Sequence, residues 1–144
     1  MRRRDDEPAQ EVFAHGADWG VRGRGASLEE AFCNGARAMF SLVVEDLSTV
    51  RPRERLAVEA EAEDPELLFV EWLNALLAAG GTAGIVLGDC SVRIEGNRAR
   101  GEARGEPYDP ARHPAGTEVK GATLTGLRVV GEAGGWVAEC IVDV

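Results

Sequence analysis

The chain has 144 residues, 44% hydrophobic and 28% charged, with 16 basic and 25 acidic residues giving a net charge of −9. That length suits one domain with a core large enough to fold without staples. The acidic balance speaks against a protein that binds nucleic acid tightly on its own, because such affinity comes largely from neutralised phosphates. No apolar run reaches the roughly 20 residues that span a bilayer.

Residues 1–10 begin Met1-Arg2-Arg3-Arg4-Asp5-Asp6-Glu7-Pro8, with no apolar stretch behind the charges. They read as a disordered tail and not as a secretory signal. Residues 11–144 read as a single domain. Glu11 to Ala14 and Gly20 to Arg22 form two short strands, with His15-Gly16-Ala17-Asp18-Trp19-Gly20 as a tight connection between them. Ser27 and Glu30 make a capping box, and Leu28, Phe32, Ala36, Met39 and Val43 recur at helical spacing, so a helix runs from Leu28 to about Val44. Arg55 to Ala62 alternates apolar and charged residues as a half-buried strand does. Asp64 caps a second helix with Pro65 in its first turn, and its many leucines, Phe69 and Trp72 make it deeply packed as far as Gly80-Gly81. Ser91 to Glu95, a turn at Gly96-Asn97, and Arg98 to Glu106 make a hairpin. Asp109 to Pro114 is a polar excursion. Thr117 to Val130 and Trp136 to Val142 are strands joined through Gly131 to Gly135. Two helices followed by a run of strands predict an α+β fold: two layers, with an antiparallel or mixed sheet covered on one face by both helices.

Few residues are equipped for chemistry. Three widely spaced cysteines, with no CxxC pair, do not make a disulfide framework or a zinc site. Cys33 and Cys140, set among apolar neighbours, read as small buried hydrophobes in a reducing cytoplasm. Only His15 and His113 could serve as a base. No nucleophile accompanies His15, and His113 reads as solvated in its polar segment. The basic clusters are short: Arg2 to Arg4, Arg22 with Arg24, and Arg98, Arg100 and Arg104.

Asp18 follows a glycine turn, and Asp143 and Val144 close the chain. If the last strand lies beside the first hairpin, two carboxylates and the terminal carboxylate of Val144 gather, and Ca²⁺ or Mg²⁺ would relieve their repulsion. The alternative is that Asp18 only caps its turn and Asp143 frays. Lys120 is either an outward position paired with Glu118 or a cation beside a metal–phosphate site.

His15-Gly16-Ala17-Asp18-Trp19-Gly20, Ser27 to Phe32, Glu63 to Leu68 with Glu71-Trp72-Leu73-Asn74, Gly105-Glu106, Arg112-His113, Glu118-Val119-Lys120 and Trp136 to Val144 stand in the order and spacing of a known pattern. The chain resembles the archease family from about Phe13 to its end. That resemblance implies a small cytosolic α+β protein, not itself an enzyme. It would speed guanylylation of an RtcB-type tRNA-splicing RNA ligase and sustain its multiple turnover. It also implies a metal site at Asp18, Asp143 and Val144, and a functional lysine at Lys120. Gly16 stands where the family usually has threonine, and Gly121-Ala122-Thr123-Leu124-Thr125 where it usually reads A-x-T-Y-H. The other readings are a chaperone-like binding module for further RNA-modifying enzymes and, more remotely, a metal-dependent phosphoesterase.

Overall fold

The computed structural model describes residues 7–144. The Arg2 to Arg4 cluster and the first six residues of the expected tail lie outside the described residues. The chain is already held at its next residues. Glu7 pairs with Arg24 Nε at 3.1 Å, and the Arg24 backbone N–H donates to Ala9 O at 2.8 Å.

Eight strands and two helices follow: β1 Gln10–His15, β2 Asp18–Gly25, α1 Leu28–Val43, β3 Glu54–Glu61, α2 Pro65–Ala83, β4 Ile85–Glu95, β5 Arg98–Pro107, β6 Gly121–Ala122, β7 Arg128–Glu132 and β8 Gly135–Asp143. A single 3₁₀ turn, Leu47–Thr49, lies between α1 and β3. The α+β class holds, and every pairing is antiparallel. The strands divide into a five-stranded sheet in the order β1-β2-β8-β6, with β7 also on β8, and a three-stranded sheet in the order β3-β5-β4. Each helix touches both sheets. Phe32 of α1 and Phe69 of α2 meet with ring centroids 5.1 Å apart, and Trp72, Leu68, Leu73, Leu76 and Met39 are buried around them. Burying each side chain of this kind contributes about 1.5–3 kcal/mol.

Both helix starts follow from their caps. Ser27 Oγ accepts from Glu30 N–H at 3.1 Å, Glu30 Oε2 accepts from Ala26 N–H at 3.2 Å, and Asp64 Oδ1 accepts from Leu67 N–H at 2.8 Å. The end of α2 corrects the sequence reading. The helix runs through Gly80-Gly81 and stops at Gly84, which takes the left-handed conformation at φ 69°. β4 then begins at Ile85, earlier than the expected Ser91, and a register shift between Leu87 and Asp89 interrupts the alternation that a reader would look for. The expected strand from Thr117 to Val130 is instead two short pieces, β6 and β7. Between them the chain turns, with Leu127 N–H donating to Leu124 O at 3.3 Å and Gly126 at φ 60°.

The glycines of β2 set how close α1 can lie. A Cβ on Gly23 would stand 2.1 Å from Gly35 N and 2.2 Å from Ala31 O, both backbone atoms of α1. Helix and strand therefore meet backbone to backbone, and no side-chain shift could make room. Gly23→Ala is expected to lose at least roughly 1–3 kcal/mol of stability, the range for overpacking. Gly81→Ala, inside α2 with nothing within 4 Å of the new Cβ, should be neutral or gain up to about 1 kcal/mol. Urea unfolding of the two variants against wild type measures both.

Candidate functional site

The β1–β2 turn is tighter than the sequence suggested. His15 pairs directly with Asp18, so the loop is only Gly16-Ala17, and Gly16 supplies the positive φ of 59°. Asp18 is thus the first residue of β2 and not part of an open connection. β2 pairs with β8 from Gly25–Trp136 to Trp19–Val142. One step further along that register, Asp18 and Asp143 follow on adjacent strands, where facing Cβ atoms lie about 4.5–5.5 Å apart. The Val144 backbone N–H donates to Asp18 Oδ1 at 3.3 Å.

Lys120 arrives on the other edge of β8. Gly121 pairs with Asp143 and Ala122 with Val142, and the Lys120 N–H donates to Asp143 O at 2.8 Å. The sequence reading quoted Asn74 only as part of a motif, yet it holds this strand in place. Its Oδ1 accepts from Ala122 N–H at 2.8 Å, and its Nδ2 donates to Ala122 O at 3.3 Å. An asparagine on the one partly polar side of an otherwise apolar helix was the available signal.

All four predicted site residues therefore meet at one corner of the five-stranded sheet. Lys120 and Asp143 are exposed there, and Asp18 and Val144 half-buried. Neither Asp18, Asp143 nor Lys120 forms an ion pair among the described residues. The suggested partnership of Lys120 with Glu118 is accordingly not made. No three His, Cys, Asp or Glu side chains gather into a metal cluster among the described residues.

The model of the Archease protein family (MTH1598/TM1083) matches residues 11–144. The chain belongs to the archease family. It is 39% identical over 137 residues to the archease of Methanopyrus kandleri, covering 92% of this chain and 97% of that one. It is 41% identical over 138 residues to that of Thermococcus gammatolerans, covering 92% and 96%. Among solved structures, protein 1598 of Methanobacterium thermoautotrophicum superposes with a TM-score of 0.77 at 30% identity, covering 94% of this chain and 99% of that one. An archease of Thermotoga maritima, described as a possible chaperone, superposes with a TM-score of 0.62 at 19% identity, covering 99% and 100%, and shares the fold. Among the described residues no helix is long and apolar enough to cross a membrane.

A second polar cluster overturns the reading of His113 as solvated. His113 is 1% exposed and Glu106 2%. The His113 Nδ1 accepts from Asp109 N–H at 2.8 Å, which leaves Nε2 to carry the proton and donate to Glu106 Oε2 at 3.0 Å. Arg112 pairs with the same carboxylate and donates to Thr49 O at 3.0 Å, and Tyr108 stacks over the imidazole. The polar excursion is thereby folded back onto the end of β5, because a buried carboxylate needs its lone pairs filled. The arginines of the two basic clusters that lie among the described residues are also spoken for. Arg22 and Arg24 share Glu11, Arg22 reaches Glu139, and Arg98, Arg100 and Arg104 pair with Glu61, Glu59 and Asp89.

The Arg51 backbone N–H, 2.8 Å from Oε2, is the main reason that Glu106 titrates at about 2 and not near 4.5; His113 and Arg112 reinforce it against the cost of burial. A folded-state value below the unfolded one means that the unfolded chain binds more protons in between. The stabilisation is full above about pH 5 and is lost as pH falls towards about 2. Urea midpoints measured across that window should fall with acid in wild type. They should fall less steeply in Glu106→Gln, which starts from a lower stability near neutral pH.

Proposed function

We propose that this protein is a non-catalytic accessory protein of an RtcB-type RNA ligase, promoting the ligase's GTP-dependent guanylylation and multiple turnover in tRNA splicing or RNA repair in the cytoplasm. Membership of the archease family supports the reading. The observation that carries it is the meeting of the first hairpin, Lys120, the end of β8 and Val144, with Val144 N–H on Asp18 Oδ1 at 3.3 Å and Lys120 N–H on Asp143 O at 2.8 Å.

The corner has the chemistry that a hard divalent cation requires. Asp18, Asp143 and the Val144 carboxyl are oxygen donors, and the two aspartates have no cationic partner among the described residues. A bound Ca²⁺ or Mg²⁺ would supply positive charge that stabilises a phosphoryl group under attack. Asp18 is set by its hairpin, Asp143 by pairing on both edges of β8, and Lys120 by the Asn74-anchored β6. These restraints fix the backbone positions from which the three side chains extend. Lys120 adds a compact positive charge on a flexible stem.

A guanylylation assay with the cognate ligase tests the reading. Wild-type protein is expected to accelerate the step, and Asp18→Ala and Lys120→Ala to lose most of that acceleration, on the order of 10²-fold for a charge-stabilising group. Equal acceleration by wild type and Asp18→Ala would discard the corner. No acceleration by wild type would discard the ligase role. Calorimetric titration with Ca²⁺ or Mg²⁺ should show uptake by wild type and at least tenfold weaker uptake by Asp143→Ala, since removing even an indirect support of a metal typically costs 10–100-fold. The description of the Thermotoga maritima relative as a possible chaperone favours a second reading, a binding module for other RNA-modifying enzymes. Recovery of such enzymes but no ligase in a pull-down would select it.

A further inference from the structure

All three cysteines are free thiols, and two of them touch. Cys33 lies on α1 and Cys90 on β4, 57 residues apart in sequence, with their sulfur atoms 3.2 Å apart. That is little more than an ångström beyond the ~2.05 Å of a disulfide bond. Cys33 is half-buried at the surface end of the pair, and Cys90 is 4% exposed behind it. Charged groups ring the pair. Arg37 of α1 binds Asp89 Oδ1 at 2.6 Å, Arg104 of β5 reaches Asp89 Oδ2 at 3.3 Å, and the Cys90 N–H donates to Asp89 Oδ1 at 2.8 Å. Cys140 is separate and fully buried in β8, where burial pushes its thiol up to about 12.

We propose that Cys33 and Cys90 form a reversible redox site, in which a hydroperoxide oxidises the two thiols to a disulfide that links α1 to β4. This assignment is independent of the ligase reading. Cys33 is the attacking sulfur: the hydrogen bond donated by the Cys90 thiol holds its pKa below the usual thiol range, helped by Arg37 and Arg104 against burial and Asp89. Cys90 is held well above that range by the same contact and by burial, so it keeps its proton until the second step. The Cys33 thiolate attacks one peroxide oxygen and breaks the O–O bond. Cys33 becomes a sulfenic acid, and the departing alkoxide takes a proton to leave as an alcohol, or as water when the oxidant is hydrogen peroxide. The Cys90 sulfur then attacks the Cys33 sulfur, the S–O bond breaks, and the hydroxyl leaves as water with the Cys90 proton. Two thiols and one hydroperoxide give one disulfide, one alcohol and one water, and a dithiol reductant reverses the change.

Reduced protein treated with one equivalent of hydrogen peroxide should lose two of its three thiols without forming an intermolecular disulfide. It should yield a Cys33–Cys90 cross-linked peptide under non-reducing digestion, and dithiothreitol should restore both thiols. Closing a loop of this length between packed elements should raise the melting temperature by roughly 10 °C. Cys33→Ala should abolish the cross-link and Cys140→Ala should leave it intact. A link through Cys140, an intermolecular dimer, over-oxidation of Cys33 with Cys90 still a thiol, or no loss of thiols would each overturn the proposal. The wild-type peptide map decides among these even if a cysteine variant fails to fold.

Discussion

β8 hydrogen-bonds along both of its edges, and the rest of the site depends on that. β2 occupies one edge from Trp136 to Val142, while β7 and β6 share the other. A strand paired on both sides has its register fixed twice, and a slip of one residue would exchange its two faces, both of which are buried. Val142 to Val144 are therefore placed to within a hydrogen bond. The approach of Val144 to Asp18 across 126 residues of sequence follows from this double pairing. The Asp18 carboxylate completes it by accepting from the Val144 N–H.

Charge is handled in two ways. On the five-stranded sheet Glu11, Arg22, Glu139 and Arg128 alternate across neighbouring strands, with the Arg22 guanidinium 4.5 Å above the Phe13 ring. Burial would raise the carboxyls of Glu11 and Glu139, yet both lie below their ordinary range because each meets two guanidinium groups. At the far end of β5 the Glu106 carboxylate is instead enclosed, and backbone as well as side-chain donors saturate it. The corner at Asp18 and Asp143 follows neither pattern. Its carboxylates are exposed to some degree and form no ion pair among the described residues, an arrangement that does little for stability.

The helices and their starts were legible from local chemistry: Ser27 and Asp64 are caps wherever they precede such apolar runs. The corner was legible only through the family pattern, because nothing in the residues alone requires the last strand to lie beside the first hairpin. Four features were hidden for physical reasons. The reach of α2 past Gly80-Gly81 was masked because those glycines look like a stop, whereas the left-handed conformation that ends the helix falls on Gly84. The split of Thr117 to Val130 was masked because threonine and valine suit strands whatever their pairing, and Gly126 alone marked the bend. The burial of His113 was masked because its partner Glu106 sits on another element, and a polar segment closed by a distant carboxylate looks the same as one open to water. The contact of Cys33 with Cys90 is likewise a product of α1 lying on β4, which no spacing of cysteines reports.

Asn74 holds both the N–H and the carbonyl of Ala122, so the short strand leading from Lys120 is clamped to a helix in the manner of one more sheet neighbour. The lysine backbone is consequently part of a rigid body and not the tip of a swinging connection. Any surface that engages this corner meets a preset spacing between the Lys120 and Asp143 backbones. It is spared the entropy of immobilising a loop there, a cost that commonly weakens transient complexes.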